Sequence, residues 1–324
     1  MRALCLLSGG LDSILAAKLI LAQGIEVKAL GFFSPFFDTE AARRSAADLG
    51  VEFDEVDIGA ALLEAVRHPR YGWGKHLNPC TDCHSLMVSE AAARLEEEGA
   101  DFIVTGEVLG QRGKSQVRSM LKVVARSAPP GLLLRPLCAR LLPPTVPEEK
   151  GWVDRSRLLD LSGRGRRRQL DLAGRLGVRQ YATPAGGCLL TDAGFCRRLR
   201  ELSDFEGWVR REVELLKIGR HFRLPSGAKV VSARDRKENA KLASSGISGD
   251  IFFETSDRQR SLVLLRNSSG KDDLSQAAGI CARYSKALAG QAVMIDWWPH
   301  SEGDNRRTVQ VVPVLDADLE EIRI

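Results

Sequence analysis

The apolar run Leu4-Cys5-Leu6-Leu7 passes directly into Ser8-Gly9-Gly10-Leu11-Asp12-Ser13, and an Ala/Leu-rich stretch then continues to Gln23 before Gly24. This reads as strand, glycine loop and helix, with Gly24 where a helix stop belongs. The alternation then repeats. Residues 25–33 read as a strand, 39–49 as a helix closed by Gly50, 51–58 as a strand, 85–98 as a helix and 102–104 as a strand ending at Thr105-Gly106. Strands alternating with helices predict an α/β fold, a doubly wound and mostly parallel sheet with helices on both faces.

Further along the chain the pattern changes. Residues 128–150 hold Pro129, Pro130, Pro136, Pro143, Pro144 and Pro147 and read as irregular connection rather than core. After about residue 205 the expected strands are 222–231, 251–254, 261–265 and 309–315, with a helix over 274–288. The expected organisation is therefore an α/β domain over 1–205 and a smaller α+β domain over 206–324. A chain of 324 residues suits two such domains. No apolar run approaches the roughly 18–20 residues that span a bilayer, and the expectation is a soluble, cytoplasmic protein.

The charge is uneven. Residues 151–200 carry 11 Arg against 4 acids, whereas 1–150 carry 17 Lys+Arg against 19 acids and 201–324 carry 19 against 19. The excess lies in one segment that includes Arg164, Arg166, Arg167 and Arg168, and all its cations are Arg, whose planar fork suits phosphate. With no strongly apolar face beside the charge, the segment is read as a nucleic-acid surface rather than a membrane surface.

The glycine loop has a direct physical use. Gly9 and Gly10 let backbone N–H groups approach a phosphate, the helix N-terminus favours its charge, and Ser8 and Ser13 add hydroxyl donors. Asp12 cannot attract phosphate, so its expected role is to hold Mg²⁺ against a pyrophosphate. The plain alternative is a tight turn with no ligand. The loop is neither a Walker loop nor the dinucleotide G-x-G-x-x-G. It resembles the PP-loop ATP pyrophosphatases, whose signature is S-G-G-x-D-S. That resemblance implies ATP as cosubstrate and adenylation of a substrate carbonyl, with Gly31, Phe32 and Gly106 lining the adenine and ribose side.

Seven cysteines in a long chain make a poor disulfide framework. Two of them form Cys80-Thr81-Asp82-Cys83, read as lying just before a helix, where the dipole lowers a thiol pKa. A third, Cys188, follows Pro184-Ala185-Gly186-Gly187 inside the Arg-rich segment. Three thiols fall short of a closed zinc site, which wants four ligands, and His84 is a hindered fourth. They suit a 4Fe–4S cluster with one open iron, or a persulfide on one Cys resolved by another. Cys5, Cys138, Cys196 and Cys281 are read as structural, and Trp297-Trp298 as an apolar cap.

With these thiols the chain resembles the tRNA thiouridylases of the PP-loop class, through Asn78–His84, Thr105–Arg112 and Pro184–Asp192. The resemblance implies an ATP-dependent tRNA sulfurtransferase that adenylates a uridine carbonyl and replaces its oxygen with sulfur. Asp12, Cys80 and Cys188 would be catalytic, and Cys80, Cys83 and Cys188 would hold a cluster. The partners would be tRNA and a sulfur donor, either sulfide or persulfide from a cysteine desulfurase. The chain departs from the pattern at Gln111–Gln116, where Pro-Met is expected before the Ser. Ile218–Phe222 and Arg234–Asn239 resemble the NFACT-R RNA-associated domain. Two other functions are weighed: a zinc-stabilised PP-loop synthetase on a small substrate, and a non-catalytic RNA-binding adaptor.

Overall fold

The computed structural model describes residues 1–182, 187–257, 261–285, 290–303 and 305–324. The chain divides into two compact units, Met1–Ala193 and Gly194–Ile324. Pro184, Ala185 and Gly186 of the Cys188 motif, and the last residues of the helix expected over 274–288, lie outside the described residues.

In chain order the first unit holds β1 (Arg2–Leu6), α1 (Leu11–Leu21), β2 (Glu26–Phe33), α2 (Glu40–Leu49), β3 (Glu52–Asp57), α3 (Gly59–Arg67), α4 (Cys80–Ala93), β4 (Phe102–Val104), α5 (Arg118–Ala125), β5 (Leu133–Leu134), α6 (Val146–Glu149) and α7 (Arg167–Arg175). Its five strands are all parallel, in the order β3-β2-β1-β4-β5. The central strand is sealed on both faces, and Ala3, Leu4 and Cys5 are buried, as a parallel sheet covered by helices requires. Ala3 and Cys5 share a face by the two-residue period and join α1 and α7 in one core. The edge strand β3, Glu-Phe-Asp-Glu-Val-Asp, leaves its charges in solvent, which discourages pairing with another chain.

The parallel α/β expectation holds. Two local expectations change. The Pro-rich stretch is not mere connection, because it supplies β5, and Leu134, Leu137 and Ala139 enter the main core. The helix expected from Ser85 begins instead at Cys80, with Pro79 as its N-cap residue. Asp82, in that first turn, accepts from the backbone N–H groups of Arg70 and Tyr71 at 3.0 and 3.3 Å. Those bonds fix a turn that no local pattern reveals.

The second unit holds α8 (Ala193–Phe205), α9 (Arg210–Leu215), β6 (Arg220–Arg223), β7 (Lys229–Ser232), α10 (Arg236–Ser244), β8 (Ile251–Thr255), β9 (Val263–Arg266), α11 (Lys271–Arg283), β10 (Val293–Pro299), β11 (Arg307–Val311) and α12 (Asp316–Ile322). Its strands form an antiparallel sheet, β11-β10-β8-β9-β7-β6. The single strand expected over 222–231 is a hairpin, turned at Gly227 with φ +88°. Residues 217–241 carry eight Lys/Arg against Asp235 and Glu238, and several of these cations are paired within the unit. Arg223 pairs with Glu201 and Glu206, Lys217 with Glu214 and Arg234 with Glu238. Burial lowers the Lys229 ammonium to about 8 against the pull of Glu206 at 3.9 Å. Trp297 and Trp298 lie on β10, where Trp298 stacks on Phe252 and carries Arg306 at 4.0 Å on its ring.

Among the described residues no helix is long and apolar enough to cross a membrane.

Candidate active site

In the first unit the strand order reverses between β1 and β4, and ligands of open parallel sheets bind beyond the strand ends at such a point. The glycine loop leaves β1 there, and Thr105-Gly106 leaves β4 beside it. Gly9 has φ +74°, and a Cβ on it would fall 2.4–2.7 Å from Ala41 at the start of α2. A Cβ on Gly106 would meet the Asp12–Ser13 backbone at 2.5–2.7 Å. Both glycines are thus required by close packing around the loop. Gly31 has a similar reason, because the Phe53 ring occupies the space its side chain would take. Phe32 is buried in the neighbouring strand.

The two serine hydroxyls bond within the loop itself. Ser13 Oγ donates to the Gly10 carbonyl at 2.9 Å and accepts from the Ser8 amide at 3.3 Å, while Ser8 Oγ accepts from the Gly10 amide at 3.3 Å. These hydroxyls hold the loop's shape before they can serve a ligand.

Asp12 opens α1. Its Oδ2 accepts from Gln111 Nε2 at 2.9 Å, and its Oδ1 is buried with no hydrogen-bond partner among the described residues. A carboxylate oxygen left bare is costly unless a cation or donor completes it, so the arrangement fits a Mg²⁺ ligand. Gln111 has no role in the sequence reading. It lies at the end of the Thr105–Arg112 motif and at the start of the stretch where the chain departs from the thiouridylase pattern. The same stretch is knit to itself and to the segment before α4. Arg112 N donates to Gln116 Oε1 at 3.2 Å, and Lys114 Nζ donates to the Trp73 carbonyl.

The thiols gather at the same edge of the sheet. The chain runs down α4 into β4, so Cys80 and Cys83 in the first turn of α4 lie beside the strand ends. Asn78 Nδ2 donates to Cys80 Sγ at 3.1 Å. Burial raises the Cys83 thiol well above its ordinary range, and the nearby Cys188, Cys80 and Asp82 raise it further. The expected lowering by the helix dipole is therefore overruled at Cys83. The same effect brings Cys188 into the neighbourhood of the Cys-x-x-Cys pair. Among the described residues, however, no three His, Cys, Asp or Glu side chains are gathered tightly enough for one metal ion. The donor set suits a soft metal or cluster in kind, since a bound cation favours the thiolate that burial and the neighbouring thiols disfavour at Cys83.

The segment bearing Cys188 is tied to the loop. Ala182 N donates to the Gly9 carbonyl at 2.8 Å, and Leu189 N donates to the Phe36 carbonyl beyond β2 at 3.0 Å.

Behind the thiols lies a buried chain of charges. Glu107 accepts from Arg135 Nε at 2.8 Å and meets His84 Nδ1 at 2.9 Å. Burial would raise its carboxyl, but the Arg135 charge and the His84 contact outweigh it and hold the group at about 2. Glu107→Ala would leave Arg135 buried and unpaired, and is expected to cost about 3–5 kcal/mol of stability. A folded pKa below the ordinary 4.5 gives stability that is present above that value and lost as pH falls from about 4.5 toward about 2. Urea midpoints of both proteins across that range check the prediction, and equal midpoints at pH 7 would contradict it.

The arginines expected to meet RNA lie before and at the start of α7. Arg168 pairs with Asp160 at 2.6 Å, while Arg164, Arg166 and Arg167 have no acidic partner among the described residues. Cys5, Cys138, Cys196 and Cys281 are buried, and burial raises the Cys5 and Cys281 thiols to about 12.

Residues 1–140 match the family model described as thiamine biosynthesis protein (ThiI). Residues 219–323 match the model described as NFACT protein RNA binding domain. Over 141 residues the chain is 30% identical to a probable tRNA sulfurtransferase of Anoxybacillus flavithermus, covering 42% of this chain and 35% of that protein. Over 118 residues it is 35% identical to the tRNA-specific 2-thiouridylase MnmA of Sulfurimonas denitrificans, covering 33% of this chain and 35% of that protein. The chain thus spans about a third of the length of the curated relatives it matches. A 4-thiouridine synthetase–RNA complex with bound ATP is similar at 19% identity and a TM-score of 0.36, covering 67% of this chain and 52% of that one.

Proposed function

We propose that the protein is an ATP-dependent tRNA sulfurtransferase. The observation that carries this reading is the meeting, at one edge of a parallel sheet, of a glycine loop, a carboxylate whose Oδ1 has no partner among the described residues, and the Cys80/Cys83 pair with Cys188 near Cys83. The ThiI match over 1–140 and the sulfurtransferase names of the relatives support it, as does the RNA-binding model matched by 219–323.

ATP would lie over Ser8–Ser13, with its phosphates toward the N-terminus of α1 and the Gly10 amide. Asp12 would hold Mg²⁺, which offsets charge on the leaving pyrophosphate. A uridine carbonyl oxygen attacks the α-phosphorus, the bond to pyrophosphate breaks, and the base carries AMP on that oxygen. A sulfur nucleophile, sulfide or a desulfurase-derived persulfide, then attacks the ring carbon, and AMP departs with the former carbonyl oxygen. If the persulfide rides on Cys188, a thiol of the Cys80/Cys83 pair attacks its inner sulfur and closes a disulfide, which an external thiol must reduce before the next turnover. A 4Fe–4S cluster on Cys80, Cys83 and Cys188 would instead supply an iron site open to sulfide. Arg164, Arg166, Arg167 and Arg168 would take phosphates of the tRNA, whose target base must leave its stack.

The test is one anaerobic reaction with ATP, Mg²⁺, sulfide and bulk tRNA, read for pyrophosphate and for thiolated nucleoside. Both should appear, and pyrophosphate should depend on tRNA. Pyrophosphate formed with a small acid or amide, without tRNA, would favour the synthetase. RNA binding without any pyrophosphate would favour the adaptor.

A further inference from the structure

Several cations described in the first unit are paired. Arg2, Lys28, Arg43, Arg44, Arg94, Arg135, Arg155 and Arg168 each meet a carboxylate. Helix α5, Arg-Ser-Met-Leu-Lys-Val-Val-Ala, is different because it contains no acid. Arg118, Lys122 and Arg126, its C-cap residue, follow one another at i, i+4 and i+8 and are exposed. None of the three has an ion pair or a side-chain hydrogen bond among the described residues. The spacing puts them on one face, about 6 Å apart along the axis. The opposite side of α5 is anchored, with Leu121 and Val124 buried.

The row ends at a cleft of about 380 Å³ between α3, α4 and α5. Arg126 and Ser127 line it from α5, Ser85 from α4, and Arg70 from the turn after α3. Arg70 lies over the Tyr71 ring at 5.6 Å and has no carboxylate partner among the described residues. The acid in the cleft, Asp82, is already engaged by the Arg70 and Tyr71 amides. The buried hydroxyl of Ser85 has no partner among the described residues, although a helical Ser usually bonds the carbonyl one turn back. Arg126 could be explained as an offset to the α5 C-terminal dipole. That account covers neither Arg118 and Lys122 nor the unsatisfied Ser85.

We propose that the α5 row and the cleft at its end form a second RNA-backbone tract, separate from the Arg164–Arg168 segment, with phosphodiester groups taken successively by Arg118, Lys122 and the Arg126/Arg70 pair. A sugar–phosphate strand can follow cations spaced one helical turn apart, and unpaired side chains meet it without breaking existing salt bridges. A bilayer is the poorer occupant, because the apolar side of α5 is already buried and the exposed face is polar. On α4, the cleft side (Asp82, Ser85, Leu86) lies opposite the face shared by Cys80, Cys83 and His84. A strand on this tract would therefore pass one helix diameter, about 10–12 Å, from the thiols. The inference rests on the reading of the protein as an RNA-modifying enzyme.

The test uses the full chain and its Arg118→Gln/Lys122→Gln/Arg126→Gln variant, titrated with bulk tRNA from 50 to 300 mM salt, on the order of the range over which phosphate contacts are lost. We expect about a tenfold or greater loss of affinity at the low-salt end and a log–log salt slope reduced by about 2–3. ATP affinity and thermal midpoint should stay unchanged, which separates lost contacts from lost folding. An unchanged slope would overturn the tract. So would vesicles of phosphatidylserine and phosphatidylcholine that bind the wild type and not the variant while tRNA binds both alike. If the variant loses tRNA binding while wild-type pyrophosphate release never depends on tRNA, the tract stands and the thiolation reading falls. A wild type that binds no tRNA removes both.

Discussion

Asp12→Asn is expected to lower tRNA-dependent pyrophosphate release by about 10²–10³-fold, the scale on which one preorganised charge contact at a reacting phosphate is lost. The substitution keeps the side chain's size, and an Asn carbonyl oxygen can still accept from Gln111, so the loop between Ser8 and Ser13 should persist. What disappears is the negative charge on the buried Oδ1, which has no partner among the described residues. tRNA affinity should change little, because no RNA contact is assigned to α1. Gln111→Leu is expected to give a smaller defect, since it releases Oδ2 and lets the carboxylate turn. Pyrophosphate release by Asp12→Asn at the wild-type rate would sink the adenylation mechanism.

Cys188→Ser should divide the reaction in two. Pyrophosphate release should continue, because the adenylation groups lie on the glycine loop, while thiolated nucleoside in digested tRNA should fall below detection. Serine keeps the side chain small and polar but can neither carry a persulfide nor bind iron strongly. Thiolation at the wild-type rate would remove Cys188 from the chemistry. Iron and acid-labile sulfide per chain, measured on the same two proteins after anaerobic purification, separate the delivery routes. Near-stoichiometric cluster that is lost with Cys188 supports the cluster. Absence of iron after reconstitution, with thiolation intact in the wild type, supports the persulfide.

What the sequence made legible follows from how local each cause is. The strand–loop–helix around Ser8–Ser13 was readable because apolar run, glycines and helix lie within twenty residues. Gly24 and Gly50 marked helix ends for the same reason, and both have positive φ. The start of α4 was not readable, since it depends on Asp82 bonding to amides 11 and 12 residues back. The strand β5 was hidden because two residues, Leu133-Leu134, are too few to show a period. At the site the loop, Asp12 and the thiols were visible as residue types. Gln111 and Arg135 reach the site from 99 and 28 residues away from their partners Asp12 and Glu107, and only the folded sheet edge brings them there. The basic cluster over 217–241 could not be interpreted from sequence, because a count of cations cannot tell a paired charge from a free one.

The hydrogen bond from Ala182 to Gly9 has a thermodynamic consequence. It joins the loop peptide proposed to admit ATP to Ala182, which precedes Cys188 by six residues in the sequence. On the proposed reading, a preference of the nucleotide for one arrangement of that peptide would be felt at Ala182, and any coupling onward to the cysteine would have to be reciprocal. The rate at which iodoacetamide alkylates Cys188 should change on adding ATP, and the alkylated protein should show an altered nucleotide affinity. If Cys188 carries the sulfur as proposed, its reactivity would then be set by whether the nucleotide seat is filled.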